Sequence, residues 1–264
     1  MSLPQPRADA AALVTGASSG IGVDLARELA ARGHALILVA RREGKLREVA
    51  DELSAAHGVR VEILPADLSE REGRLDLLRR IDELGLDVDV LLNNAGYGLS
   101  GRFIDLEEDR QEQMIRLNVE AVHHLARALA PGMAERGSGA ILLLASIAAF
   151  QPVVGMSDYA ATKAFVLSLG ETLHEELKSR GVTVTTLCPG PVKTEFWDVA
   201  GELEGNLNPK PMWAKADKVA REAIEGLEKG HRVVVPHAPV KLASIAGRHT
   251  PRSLLLPIMK RAGK

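Results

Sequence analysis

Cysteine is almost absent from this chain. Cys188 is the only one, so no intrachain disulfide can form, and that usage suits a reducing compartment. Aromatic residues make up 3% of the 264 positions, which leaves Ala, Leu, Val and Ile to build the core. No apolar run approaches the ~18 residues of a membrane-spanning helix. The start, MSLPQPRADA, lacks a basic-then-apolar secretion signal. A cytoplasmic location is therefore expected. His123-His124, His174, His231 and His237 show no metal-ligand spacing, and there is no HExxH, so no metal is expected. A net charge of −2 gives no reason to expect a nucleic-acid partner. No Pro/Gly/Ser-rich linker and no internal repeat divides the chain, which is read as one domain over residues 1–264 with a short tail at 1–9.

What is present is a regular rhythm. Strands are predicted near Ala11–Val14, Ala35–Val39, Val59–Leu64, Val88–Leu92, Ala140–Leu144, Val182–Leu187 and Arg232–Val235. Helices are predicted near Gly20–Arg32, Glu43–His57, Glu70–Leu84, Glu107–Glu135, Asp158–Ser179 and Lys215–Lys229. Continuous apolar strands such as LILVA and ILLLA suit a sheet covered on both faces. Strand–helix alternation implies right-handed parallel crossovers, hence an α/β, doubly wound parallel sheet of the Rossmann kind with seven strands. Residues 194–214 break the rhythm, carry both tryptophans and read as a lid over a substrate.

LVTGASSGIG places Gly16, Gly20 and Gly22 between the first strand and the first helix. Glycines there let backbone approach a pyrophosphate, and the helix start offers N–H donors. The spacing is GxxxGxG rather than GxGxxG, so this turn alone is equally compatible with plain loop geometry. It lacks the Lys-Ser/Thr ending of an NTPase phosphate loop. The second strand ends in Arg41-Arg42, where an NAD site usually has an acid; arginine suits a 2′-phosphate. The plainer reading is a solvated charged pair, but cations ahead of a helix start are disfavoured unless an anion joins them.

Tyr159 and Lys163 are four apart, one helical turn on the same face, with Ser146 thirteen residues upstream of the tyrosine. A free tyrosine titrates near pH ~10, and a neighbouring ammonium lowers that value. A tuned phenol beside a serine hydroxyl exchanges protons with a carbonyl or alcohol oxygen. Taken singly, Ser146 reads as a strand-end cap, Asp67 as a helix cap, and Tyr159 with Lys163 as an exposed helical face. Asn118 is a poor helix former within a helical stretch.

Taken in order, TGASSGIG at 15–22, ADL at 66–68, NNAG at 93–96, Asn118, Ser146, YAATK at 159–163 and PGPVKT at 189–194 closely resemble the classical short-chain dehydrogenase/reductases. The resemblance implies sheet order 3-2-1-4-5-6-7 and a homodimer or homotetramer. It implies Tyr159 as general acid/base, Ser146 holding the substrate oxygen, and Lys163 binding ribose hydroxyls while lowering the tyrosine pKa. Asn118 would anchor a relay water. For the cofactor it implies contacts from Gly16, Ser18, Ser19, Gly20, Ile21 and Gly22, and from Arg41 and Arg42. Further along it implies Asp67 and Leu68 near the adenine, Asn94, Ala95 and Gly96 along the adenosine half, and Pro189, Gly190, Val192 and Thr194 by the nicotinamide, beside Tyr159 and Lys163. NADP(H) is expected over NAD(H).

The expected function is thus an NADP(H)-dependent oxidoreductase acting on a small-molecule carbonyl/secondary-alcohol pair. The alternative is a dinucleotide-binding regulator or scaffold without catalysis, which the complete Ser/Tyr/Lys/Asn set disfavours. The longer epimerases and dehydratases share Tyr-xxx-Lys but carry a larger C-terminal substrate domain. From Pro239 onward there are six Lys/Arg and no Asp/Glu, with Leu254, Leu255, Leu256, Ile258 and Met259 among them. This basic extension, 239–264, is read as a subunit contact, with an anionic membrane surface as the other option. Pro251 and Pro257 are expected to keep any helix there short.

Overall fold

The apolar runs become the seven strands of one parallel sheet, ordered β3-β2-β1-β4-β5-β6-β7. The computed structural model describes residues 3–201 and 212–262. In chain order the elements begin with β1 (Ala10–Thr15), α1 (Gly20–Ala30), β2 (Leu36–Val39), α2 (Glu43–His57), β3 (Val61–Ile63), α3 (Arg71–Glu83) and β4 (Asp87–Asn93). They continue with α4 (Glu108–Ile115), α5 (Val122–Arg136), β5 (Gly139–Leu144), α6 (Ser157–Lys178) and β6 (Val182–Leu187). The chain then forms α7 (Phe196–Ala200), α8 (Ala216–Glu228), β7 (Val233–Val234), α9 (Ala238–His249) and α10 (Arg252–Ala262).

Strand periodicity sorts side chains onto the two faces. Along β1, Ala12 and Val14 join the layer with Leu25 and Leu29 of α1, Leu46 and Leu53 of α2 and Ile224 of α8. Leu13 joins the opposite layer with Leu77 of α3, Leu125 of α5, and Val166 and Leu167 of α6. Each fully buried leucine contributes ~1.5–3 kcal/mol, so an aliphatic core suffices without aromatics. Cys188 is buried in the second layer, as packing.

Helix α6 lies very close to the sheet. A side-chain carbon at Gly170 would stand 2.0 Å from Thr186 Oγ1 on β6, so only glycine fits that crossing.

Four expectations need correction. The predicted helix Glu107–Glu135 is interrupted by a π-helical turn over Arg116–Ala121. There Asn118 directs its amide off the helix, and Asn93 Nδ2 donates to the Val122 carbonyl at 2.9 Å. β3 and β7 are shorter than predicted, because only the residues paired with β2 and β6 keep strand geometry. The expected tail at 1–9 is pinned from Leu3: Leu3 is buried, and Arg7 donates to Asp89 at 3.0 Å and Asp87 at 2.9 Å. The basic extension forms two helices, split at Pro251, with Pro257 inside α10 at the cost of one backbone donor. Among the described residues, no helix is long and apolar enough to cross a membrane, and no group of three His/Cys/Asp/Glu side chains is placed to hold a metal ion.

Candidate active site

Parallel strands bring all their C-terminal ends to one edge, and the order reverses between β1 and β4. A crevice forms at such a switch point. Here it is an open cleft lined by the β1–α1 turn, the segments that follow β2 and β3, and the Asn94–Gly96 segment.

The turn is built to approach an anion. Gly16 has φ +67°, a left-handed conformation that favours glycine. A side-chain carbon at Gly22 would stand 2.2 Å from the Gly16 carbonyl, so the turn folds flat against α1. Asn94 Nδ2 holds the turn from β4 by donating to the Thr15 carbonyl at 2.8 Å. Thr15 Oγ1 accepts from the backbone N–H groups of Asn94 and Ala95, each at 2.9 Å. The N-cap Ser19 makes no side-chain cap and the first turn of α1 carries no acid, so the helix start faces the cleft unneutralised. This cradle fits a pyrophosphate.

At the far end, Arg41 and Arg42 border the cleft with Ser18, Asp67 and Leu68. Arg42 reaches Ser18 Oγ at 3.2 Å and Glu195 Oε2 at 2.9 Å. Arg41 lies 3.7 Å from Asp67 Oδ2. Asp67 also accepts from Ser69 N–H and Oγ, at 2.9 and 2.6 Å, an Asx turn ahead of α3 rather than a cap on it, since the N-cap of α3 is Glu70.

A second pocket adjoins the cleft and shares with it Ile21, Gly96, Leu144, Thr194 and Phe196. Ser146, Tyr159 and Lys163 meet in its wall. β5 delivers Ser146, whose Oγ accepts from the Ala148 N–H at 3.1 Å as an N-cap and also interacts with the Tyr159 hydroxyl. The first two turns of α6 deliver Tyr159 and Lys163. Lys163 is buried; its Nζ donates to the Leu144 carbonyl at 2.8 Å and lies 5.7 Å from the centre of the Tyr159 ring.

Burial pushes the Tyr159 phenol up to about 12, and the Ser146 hydrogen bond draws it only partly back. Burial also takes Lys163 down to about 8. The sequence reading has Lys163 lowering the tyrosine. In the structure, loss of water around the phenol outweighs that, because the ammonium is turned toward Leu144.

Asn118 lines neither cavity. It is fully buried behind them, accepting from the Tyr97 N–H at 3.2 Å and donating to the Tyr97 carbonyl at 2.9 Å and to Thr162 Oγ1 at 3.2 Å. It nonetheless converges with the lysine: a side-chain carbon at Gly96 would meet Asn118 Oδ1 at 2.8 Å and Lys163 Nζ at 3.3 Å.

The remaining predicted positions divide between the two cavities. Gly16, Ser18, Ser19, Gly20, Ile21, Gly22, Arg41, Arg42, Asp67, Leu68, Asn94, Ala95, Gly96 and Thr194 line the cleft. Pro189, Gly190 and Val192 line the pocket instead. Of the residues singled out as a lid, Phe196 and Trp197 line the pocket, and Phe196 packs 5.5 Å from the Tyr159 ring. Residues 202–211 of that segment lie outside the described residues. Gln151, Val153 and Met156 in the pocket wall were not singled out from sequence; they sit in an irregular loop with no periodic signal. Neither was a pocket role for Met259, whose contact joins α10 to residues over a hundred positions earlier.

Residues 10–204 match the family described as short chain dehydrogenase. The chain belongs to that family. This short-chain dehydrogenase is 36% identical over 241 residues to a very-long-chain 3-oxoacyl-CoA reductase of Anas platyrhynchos, an alignment covering 88% of this chain and 74% of that protein. It is similar in structure to a short-chain dehydrogenase from Sphingobium yanoikuyae in complex with NADPH, with a TM-score of 0.80, 36% identity, and coverage of 94% and 95% of the two chains. It is likewise similar to the bulky-bulky ketone specific alcohol dehydrogenase from Comamonas testosteroni, with a TM-score of 0.76, 30% identity, and 94% of each chain covered. As a classical short-chain dehydrogenase/reductase it is an oxidoreductase, of a family that uses a nicotinamide cofactor.

Proposed function

We propose that this protein is an NADP(H)-dependent oxidoreductase that interconverts a carbonyl compound and its secondary alcohol. The observation that carries this is the meeting of Ser146, Tyr159 and Lys163 in a pocket that opens directly onto the glycine-turn cleft.

Gly16–Gly22 and the start of α1 would hold the pyrophosphate, Asp67, Leu68 and Asn94–Gly96 the adenosine side, and Pro189–Thr194 the nicotinamide side. Arg41 and Arg42 would hold the 2′-phosphate, and their exposure to the cleft supports NADP(H) over NAD(H). Bound there, the cofactor supplies or accepts the hydride. Ser146 Oγ holds the substrate oxygen. Tyr159 gives that oxygen a proton during reduction and takes it back during oxidation. Burial keeps the Tyr159 phenol protonated at neutral pH, the form that gives a proton in the reduction direction, although the raised pKa makes it a weaker acid. Lys163 serves the ribose hydroxyls, and Asn118 forms the inner end of a proton route behind it. Residues 194–214 act as a lid that excludes water from the reacting atoms. The active form is proposed to be a homodimer or homotetramer in the cytoplasm.

The test is NADPH consumption, followed by absorbance, across a panel of ketones, with Tyr159→Phe as control. Turnover by the wild type that the variant loses supports the reading. Tight NADPH binding with no turnover on any carbonyl favours the regulator instead.

A further inference from the structure

The side of the pocket away from the dinucleotide cleft is apolar. Val153, Met156, Trp197 and Met259 form it, with Phe196 at the border with the cleft, and among the described residues no acid or arginine lines it. The cation present, Lys163, stands at the other end of the pocket, donating to the Leu144 carbonyl where pocket and cleft join. Among the described residues, Gln151 is the polar side chain beyond the Ser146–Tyr159 end and the Thr194 rim.

Met259 reaches this wall from the C-terminal helix. Three contacts seat the extension over the pocket. Val240 of α9 is fully buried against Gly190, where a side-chain carbon would stand 2.6 Å from Val240 Cγ2. Arg252, at the start of α10, donates from Nη2 to the Phe150 carbonyl at 3.1 Å, one residue before Gln151. Met259, two turns on, is 8% exposed and closes the wall. The match to the family model stops at residue 204, before α9 and α10 begin.

We propose that α10 is the specificity element of this enzyme: Met259, latched in place by Arg252, shapes the pocket for a bulky, uncharged, largely apolar carbonyl compound, with Gln151 orienting a second polar atom of the substrate. This rests on reading Ser146 and Tyr159 as the end that holds the reacting oxygen. A buried apolar wall rewards apolar area and penalises a charge that finds no partner. Methionine suits such a wall because its flexible side chain adapts to irregular shapes.

The test measures binding as well as turnover. Benzophenone, a bulky neutral ketone, and 4-benzoylbenzoate, its anionic analogue, are titrated against intrinsic fluorescence, to which Trp197 in the pocket wall responds. The wild type is expected to bind benzophenone at least about tenfold more tightly than 4-benzoylbenzoate. Met259→Trp fills the pocket and is expected to weaken benzophenone by about tenfold or more. Should that variant fold poorly, Met259→Ala and Arg252→Ala are expected to weaken it roughly three- to tenfold. NADPH affinity should stay unchanged in all three, since none touches the dinucleotide cleft. No benzophenone binding by the wild type, equal binding of the anion, or benzophenone affinity within about twofold of wild type in every variant overturns the proposal. Benzophenone binding that responds to Met259 without turnover on any ketone would leave this inference standing and remove the oxidoreductase reading.

Discussion

Arg42 and Glu195 form an ion pair across the mouth of the dinucleotide cleft, Nη2 to Oε2 at 2.9 Å. The pair ties the β2–α2 corner to the beginning of the proposed lid. Both side chains are about half exposed, at 48% and 52%, so the pair itself is weak.

A 2′-phosphate must take Arg42 from Glu195. Glu195→Gln is therefore expected to tighten NADPH by up to about fivefold, the worth of an exposed pair of ~1 kcal/mol. Arg42→Ala is expected to weaken NADPH roughly ten- to hundredfold, from ~1.5–3 kcal/mol for a charge-assisted hydrogen bond. NADH should respond to neither. Equal dissociation constants for the two cofactors in the wild type would refute the arginine assignment.

Tyr159→Phe keeps the ring, and with it the packing against Phe196, while removing the proton-exchanging hydroxyl. Turnover is expected to fall by at least about a hundredfold, with NADPH affinity nearly intact. Single-turnover rates and a cofactor titration separate the two effects. A variant retaining more than about a tenth of the wild-type rate would remove Tyr159 from the acid/base role.

Lys163 makes stability depend on pH. Its value falls from 10.5 to about 8 on folding, chiefly through burial. Between those values the unfolded chain binds more protons than the folded one, so stability rises with pH across the window. The cost of the buried charge is full below about pH 8 and absent above about 10.5, and amounts to about 3 kcal/mol. Relative to Lys163→Met, the cofactor-free wild type should therefore gain melting temperature from pH 8 to 10.5. Parallel curves for the two proteins would contradict the shift.

Hydrogen exchange probes the lid. Phe196 and Trp197 stand at the pocket, so peptides spanning 194–214 should gain protection when NADPH and a bulky ketone are bound together. Unchanged exchange there would count against closure.

The strands were legible because they rest on short apolar runs, and the glycine turn and the Tyr and Lys one helical turn apart are local signals too; the sheet order and the other cleft-lining positions came through the resemblance that TGASSGIG, ADL, NNAG and YAATK carry. The illegible parts join distant positions. Nothing local to Arg7 announces Asp89, and nothing local to Met259 announces a pocket walled by Met156 and Trp197. The π-turn was half legible. Asn118 stood out as a poor helix former, but its amide partners, Tyr97 and Thr162, come from elsewhere in the fold. The electrostatics at Tyr159 were misjudged for the same reason: spacing brings Lys163 close, but burial of the phenol is a property of the assembled pocket.

The seating of Gly170 on Thr186 makes α6 a lever with a fixed pivot. Tyr159 sits eleven residues up the same helix, about 16 Å along its axis. One methyl group at the pivot must lift the bar off β6 or tilt it, and either motion is carried to the phenol at its far end. Gly170→Ala, a change that touches neither cavity, should thus cut turnover more than it weakens NADPH. Reach between the proton donor and the substrate oxygen is set not in the pocket but at a crossing midway along the rod.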